Sequence, residues 1–321
     1  MLVGSLNWLI TWVGMEVLGF SFVCWLISFD AFNDCICKSK VWTYFIVQAV
    51  GSSIILMVMC WDHILFSEFI SDSAFYSGLA LVLALMMKLS LPPFHCWMFR
   101  VAESTSWLKL ISMISLQKVF PMYFLSFSLG VGLSCWLVVC LGTLSSVFGI
   151  MGSAELNISR FFIYSSILNS GWIILGFSTG DFMGWGYMIC YVFALMLVSS
   201  IMELAHSSKD FGSITYTFGG VKKSSYPMYS FIFISLMALP PFPGFFMKIK
   251  ICSDLIFANY FWAAFLPYMS SMVMVLSYVF FTFMFSLNSP TSFGSRISYS
   301  VSMLWAFGFI FLFTIGLLKF S

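Results

Sequence analysis

Ten apolar runs in this chain are long enough to cross a bilayer as helices: residues 5–29, 41–61, 74–104, 107–127, 131–151, 161–179, 182–204, 227–257, 261–286 and 298–319. A hydrocarbon core of ~30 Å needs about 20 residues per helix. The third and eighth runs exceed a plain span. Each holds a proline cluster, Leu91-Pro92-Pro93-Phe94 in one and Leu239-Pro240-Pro241-Phe242-Pro243-Gly244 in the other. Proline removes the i→i−4 hydrogen bond and clashes with that carbonyl, so both helices are predicted to break mid-course. Freed carbonyls in lipid are tolerated only under protein or water, which turns both breaks toward the protein interior.

Polar positions between the runs set an orientation. Loops after odd-numbered helices, with the adjoining helix ends, hold Lys38, Lys40, Arg100, Lys109, Arg160, Lys209, Lys222, Lys223 and Arg296. Loops after even-numbered helices hold no Lys or Arg, only acids such as Asp62, Glu68, Asp72 and Asp181. The positive-inside rule puts the odd loops on the cytoplasmic or matrix side and the N-terminus on the other. Broken helices five apart in the order have opposite orientations, the signature of an inverted five-helix repeat. Residues 1–127 read as its first half without the first helix, 128–286 as the complete second half, and 287–321 as a C-terminal helix.

Composition agrees that this is an all-α polytopic membrane protein. Of 321 residues, 61% are apolar and 8% charged, against roughly 45–50% and 25% in soluble domains. Twenty-six charged side chains, 14 basic and 12 acidic, cannot clothe a soluble fold of this size. A formal net charge of +2 with no basic stripe gives no nucleic-acid signal. The nine cysteines are scattered, with Cys35 and Cys37 the one close pair, so neither a metal site nor a disulfide framework is expected. Phe reaches 39 residues, while Gln occurs only at Gln48 and Gln117. That skew points to a coding strand rich in T and G, as in some organellar genomes. The absence of an import-type N-terminal pattern fits a protein made inside the organelle that uses it.

Four ionisable residues fall inside the spans: Glu16, Lys88, Lys118 and Lys248. Each costs about 2.5–3.5 kcal/mol at a helix centre, so water, a counter-charge or neutralisation must offset them. Glu16 lies mid-helix, open either to a protonated carboxyl bonded across helices or to an ion pair. Lys88 stands four residues before Pro92, either snorkelling to the interface or beside the break. Lys118 is mid-helix next to Gln117, whose carbonyl Pro121 frees; Lys248 follows Gly244 by one helical turn. Lys250 reads as a structural neighbour on another face. Burial favours a neutral lysine, whereas a carboxylate ~4 Å away favours the charged one by about 4 kcal/mol at an effective dielectric of ~20. Such residues can therefore pass protons. His95 could join that path or bond the freed carbonyls of the break. No nucleophile–base pair, phosphate-cradling loop or cofactor motif competes.

The run Met87-Lys88-Leu89-Ser90-Leu91-Pro92-Pro93-Phe94-His95-Cys96-Trp97 resembles the KLG-x-x-PFH-x-W segment of the antiporter-like subunits of respiratory complex I. Four further stretches agree in order: Trp12 to Glu16, Gln117 to Pro121, Tyr164 to Ile167 with Gly171-Trp172, and Leu239 to Phe245 with Lys248. Within the family the length favours the chain 2 branch over the longer chains 4 and 5. The resemblance implies that the positions of Glu16, Lys88, Lys118 and Lys248 form a proton-translocating row, driven by NADH oxidation and quinone reduction elsewhere in the complex. It implies no redox centre or cofactor in this chain; FMN and iron–sulfur clusters belong to other subunits. Partners would be chains 4L and 4, accessory subunits and cardiolipin, in the mitochondrial inner membrane. Two departures stand out. Relatives usually begin one helix earlier, and after Trp97 they carry Pro and an acid where this chain has Phe99 and Arg100, with Glu103 three residues on.

Two other classes fit the same pattern of spans. A stand-alone cation/proton antiporter would carry extra intramembrane carboxylates for Na⁺, and none is evident. A structural subunit would use its charges only to bind neighbours.

Overall fold

Apolar runs of this length fold as helices because a helix pairs every backbone group within a single segment, with no need of neighbouring strands in the bilayer. The computed structural model describes residues 2–30, 35–65, 71–103, 105–131, 134–155, 157–204 and 243–287, all helices and short connections. In chain order the helices are α1 (Leu2–Asp30), α2 (Cys35–Leu65), α3 (Ser71–Lys88), α4 (Cys96–Ala102), α5 (Trp107–Ser115), α6 (Val119–Val131), α7 (Cys135–Phe148), α8 (Ile158–Thr179), α9 (Asp181–Leu204), α10 (Pro243–Phe257) and α11 (Phe261–Leu287). A 3-10 turn, Leu116–Lys118, joins α5 to α6, and another, Gly149–Ala154, extends α7. Among the described residues, seven helical stretches are long and apolar enough to cross a membrane. Tyr76–Lys88 is a shorter apolar helix.

The first nine predicted runs thus coincide with helices, the eighth only in its second half. The run 298–319, the 205–226 loop, Pro240 and Pro241 lie outside the described residues.

The third run breaks where its prolines require. α3 stops at Lys88, and α4 restarts at Cys96. Pro92 and Pro93 cannot bond the carbonyls of Lys88 and Leu89, and both carbonyls find other donors. Gln48 Nε2 donates to the Lys88 carbonyl at 3.3 Å, and Ser90 Oγ donates to that of Leu89 at 2.6 Å. Ser90 itself is left-handed, φ 54°, while the Leu91 N–H reaches back to the Met86 carbonyl at 2.9 Å and caps α3. Leu89, Ser90 and Leu91 are fully buried, so this part of the break faces the protein interior. The fourth run differs from a plain span. Pro121 cannot bond the Gln117 carbonyl, and the helix tightens into the 3-10 turn just before it.

α8 is the hub of the bundle. It packs against α4, α5, α6, α7, α9, α10 and α11, and from Ile158 to Phe177 nearly every side chain is buried. α1 and α11 lie at the periphery, with Val13, Val17 and Phe20 on one, and Trp262, Phe265 and Leu276 on the other, turned outward. With no hydrophobic drive between helices in lipid, close approach depends on small residues. Gly171 of α8 sits against the Gly142 carbonyl, Ser145 Oγ and the Ser146 amide of α7, where a Cβ would come within 2.6–2.8 Å of all three. Gly19 of α1 has open space instead.

Gly171→Ala is therefore expected to push α7 from α8 and destabilise by about 1–3 kcal/mol. Gly19→Ala should be neutral or stabilise by up to about 1 kcal/mol. Thermal unfolding of the purified variants in lipid checks the contrast.

Candidate functional site

Glu16 sits mid-way along α1, and Lys88 ends α3, where the proline break stops the helix. The two side chains meet: Lys88 Nζ donates to Glu16 Oε1 at 3.1 Å. The pair is lopsided, since the lysine side chain is 3% exposed and the carboxylate 39%. The lysine stem runs past Gly51 of α2, where any Cβ would lie 2.9 Å from Lys88 Cγ. Lys88 turns inward, to a cavity of about 470 Å³ that it lines with Glu16, Ser21, Tyr44, Phe45 and Gln48. The cavity is edged by the outward-facing Val17 and Phe20 of α1.

A second set of contacts joins α2 and α1 to Gln117, the residue before Lys118. The Tyr44 hydroxyl donates to Gln117 Oε1 at 3.1 Å, and Gln117 Nε2 donates to the Leu18 carbonyl at 3.4 Å. Lys118, buried at the end of the 3-10 turn, points to α8. Its Nζ donates to the Ser166 carbonyl at 3.2 Å and to Ser166 Oγ at 3.3 Å. No carboxylate pairs with Lys118 among the described residues.

Lys248, on α10, approaches α8 two turns further along. Its ammonium lies 5.8 Å from the ring centroid of the fully buried Trp172, within range of a cation–π contact. A small void of about 10 Å³ separates it from Ser165, Asn169, Ser271 and Tyr278, which is room for about one water molecule. Asn169 is held in place by the Tyr187 hydroxyl, which donates to its Oδ1 at 2.8 Å, and by its own Nδ2–H to the Ser165 carbonyl at 2.9 Å. Ser166, Asn169 and Trp172, spaced by three, lie on successive turns of α8. The two lysines therefore face one helix within about 9 Å of its length.

His95 joins no such cluster. Its ring packs between Phe99, Phe148 and Tyr164 at 5.6–6.2 Å, and its buried Nδ1 has no hydrogen-bond partner among the described residues. The ring also makes a hydrogen bond to the Pro93 backbone at the break, while Gln48 and Ser90 serve the two carbonyls that the prolines free. Pro243 and Gly244 open α10, with Lys248 one turn inside it; the residues of the second proline cluster before them lie outside the described residues. Lys250 is exposed, on a different face.

Lys109 is covered by a neighbouring helix. The sequence groups it with interfacial charges, but it is 3% exposed on α5, and its Nζ donates to the Leu26 carbonyl near the end of α1 at 3.2 Å. A lysine two residues into a helix carries no signal of which neighbour will cover it. Glu103 and Arg160, by contrast, form an open ion pair at 2.6 Å that ties α4 to the start of α8. Gln48, Asn169 and Tyr187 give no functional signal in the sequence either, being single polar positions in apolar runs, and Gln117 and Ser166 enter only as parts of the stretches that carry the resemblance.

With this geometry in hand, the comparisons agree on a class. Residues 5–275 match the family described as NADH:quinone oxidoreductase/Mrp antiporter, transmembrane, and the chain belongs to it. More particularly, it is 27% identical over 331 residues to the NADH-ubiquinone oxidoreductase chain 2 of Myxine glutinosa, covering 99% of this chain and 91% of that one. A chain of respiratory complex I from Thermus thermophilus shares the fold with a TM-score of 0.74 and 19% identity, over 95% of this chain and 72% of that one. A chain of the Mrp complex from a Dietzia species superposes with a TM-score of 0.66 and 19% identity, over 84% of this chain. This chain spans only 55% of that longer relative.

Removing Lys88 would strand a partly buried carboxylate. Lys88→Met is expected to destabilise by about 3 kcal/mol, the low end for a broken buried pair because Glu16 is partly open. Adding Glu16→Gln should recover part of the loss in thermal unfolding.

Proposed function

We propose that this chain is the chain 2-type membrane subunit of respiratory complex I and that it moves protons across the mitochondrial inner membrane. Glu16, Lys88, Lys118 and Lys248 carry them. The observation that supports this most is that three lysines, all buried, are held by different partners: a carboxylate for Lys88, a serine for Lys118 and an aromatic ring for Lys248. A purely structural set of charges would be most stable with each cation paired. Unequal partners instead give neighbouring lysines unequal hold on a proton, which is what a stepwise transfer needs.

In this reading Glu16 holds or releases the proton of Lys88 as their separation changes. Lys118 relays along the serine face of α8, and Lys248 exchanges with the far side. The chain contributes no redox chemistry; NADH oxidation and quinone reduction, with FMN and iron–sulfur clusters, fall to other subunits. Chains 4L and 4, accessory subunits and cardiolipin surround it. The N-terminus faces the intermembrane space, in keeping with the loop charges. Halves 1–127 and 128–286 form an inverted pair around the two proline clusters, with 287–321 as an added helix.

In complex I assembled with Lys248→Met and reconstituted into vesicles, the ratio of protons moved to electrons transferred is expected to fall. An unchanged ratio with normal assembly would leave these charges a structural role only. Migration of the chain in a very large assembly with NADH-oxidising activity checks the membership.

A further inference from the structure

The Tyr44–Gln117 bridge, together with the Gln117 bond to the Leu18 carbonyl, links two parts of the site. On one side, Tyr44 lines the cavity that holds Glu16 and Lys88. Its ring is 1% exposed and fixed by Phe22 of α1 and Trp97 of α4, with centroids at 5.3 and 5.7 Å, so the hydroxyl alone is free to turn. On the other side, Gln117 precedes Lys118 in the chain and sits within the 3-10 turn that sets where Lys118 points. The Gln117 amide is used at both ends: it accepts from Tyr44 on α2 and donates to Leu18 on α1, two residues past Glu16.

The turn is what makes this bridge consequential. A mid-helix 3-10 stretch has poorer hydrogen-bond geometry than the α-helix around it and relaxes readily unless something holds it. Three residues passing from 3-10 to α geometry rotate the helix beyond them by about 60° and draw it in by about 1.5 Å. A change of that size would carry the Lys118 ammonium away from Ser166, whose two oxygens lie only 3.2 and 3.3 Å from it. Pro121 takes away one backbone bond here, which leaves the Gln117 side chain as a cross-brace on the turn. Composition adds weight. The chain has two glutamines in all, and Gln48 holds the Lys88 carbonyl at the break while Gln117 holds this turn.

We infer that Tyr44 and Gln117 are positioning residues that couple the Glu16–Lys88 pair to Lys118, by holding the Leu116–Lys118 turn in register with α1, which carries Glu16, and α2, which lies against the Lys88 stem. This rests on the proton-translocating reading above. The Tyr44 hydroxyl senses the pair from inside the shared cavity, and its bond to Gln117 sets whether the Lys118 ammonium reaches Ser166.

The test is a set of variants in the assembled complex, reconstituted into vesicles, with protons moved per electron as the readout. Tyr44→Phe removes one hydroxyl and keeps the packed ring. Gln117→Met keeps length and bulk without either polar atom. Lys118→Met is the reference. Each of the first two should lower the ratio, their combination should lower it no further than the stronger single change, and neither should lower it further when added to Lys118→Met. A merely structural contact would instead reduce assembly yield in every background and leave the ratio of the assembled fraction intact. An unchanged ratio in Tyr44→Phe or Gln117→Met, or additive losses, overturns the coupling while Lys118→Met still shows its own loss. No loss in Lys118→Met itself removes the underlying reading and the coupling with it.

Discussion

Inside a bilayer, a carbonyl that proline sets free must be given another donor, and much of this structure stems from meeting that demand. At the first break the donors are Gln48 and the Ser90 hydroxyl. Both arrive because α2 packs on α3 and because the chain turns left-handed at Ser90. The same stop leaves Lys88 at the very end of α3, so the ammonium is delivered to the Glu16 carboxylate and not carried on toward the headgroups. At Pro121 the solution is different: the helix tightens, and the turn swings Lys118 onto α8. Two proline sites thus receive two local repairs, and each repair places a lysine.

Much of this is legible in the sequence. The apolar runs locate the described helices because the demand for backbone pairing in lipid leaves little else for 20 such residues to do. The Pro92-Pro93 pair locates the inward-facing break because proline acts on a known carbonyl, four residues back. The ionisable residues stand out because charge is costly at that depth. Glu16 and Lys88 are 72 positions apart, however, and nothing in a linear pattern says which helices touch. For the same reason the serine face of α8, the Tyr187–Asn169 bond and the burial of Lys109 cannot be read from it. Ser and Asn in a membrane helix usually bond their own backbone, and here Ser165, Ser166 and Ser170 do so as well. Only packing reveals that Ser166 is also a lysine's partner. The tightened turn at Leu116–Lys118 is hidden too, since the run around it reads as one continuous helix.

α8 explains why the second and third lysines are close without being paired. Its small residues let α7 approach on one side, while its serines and Asn169 give polar footing on another. One helix thus acts as both packing core and polar rail, which concentrates structural and chemical demands on the same 22 residues.

Gly51 bears on Lys88 in a further way. The lysine stem lies across bare backbone there, in a slot whose width is the spacing between α2 and α3. The reach of that ammonium is therefore governed by a neighbour's position as much as by its own torsions. Should α2 slide or tilt, the slot would narrow or widen like a jaw, and a mechanical displacement would become a change in how far one positive charge extends.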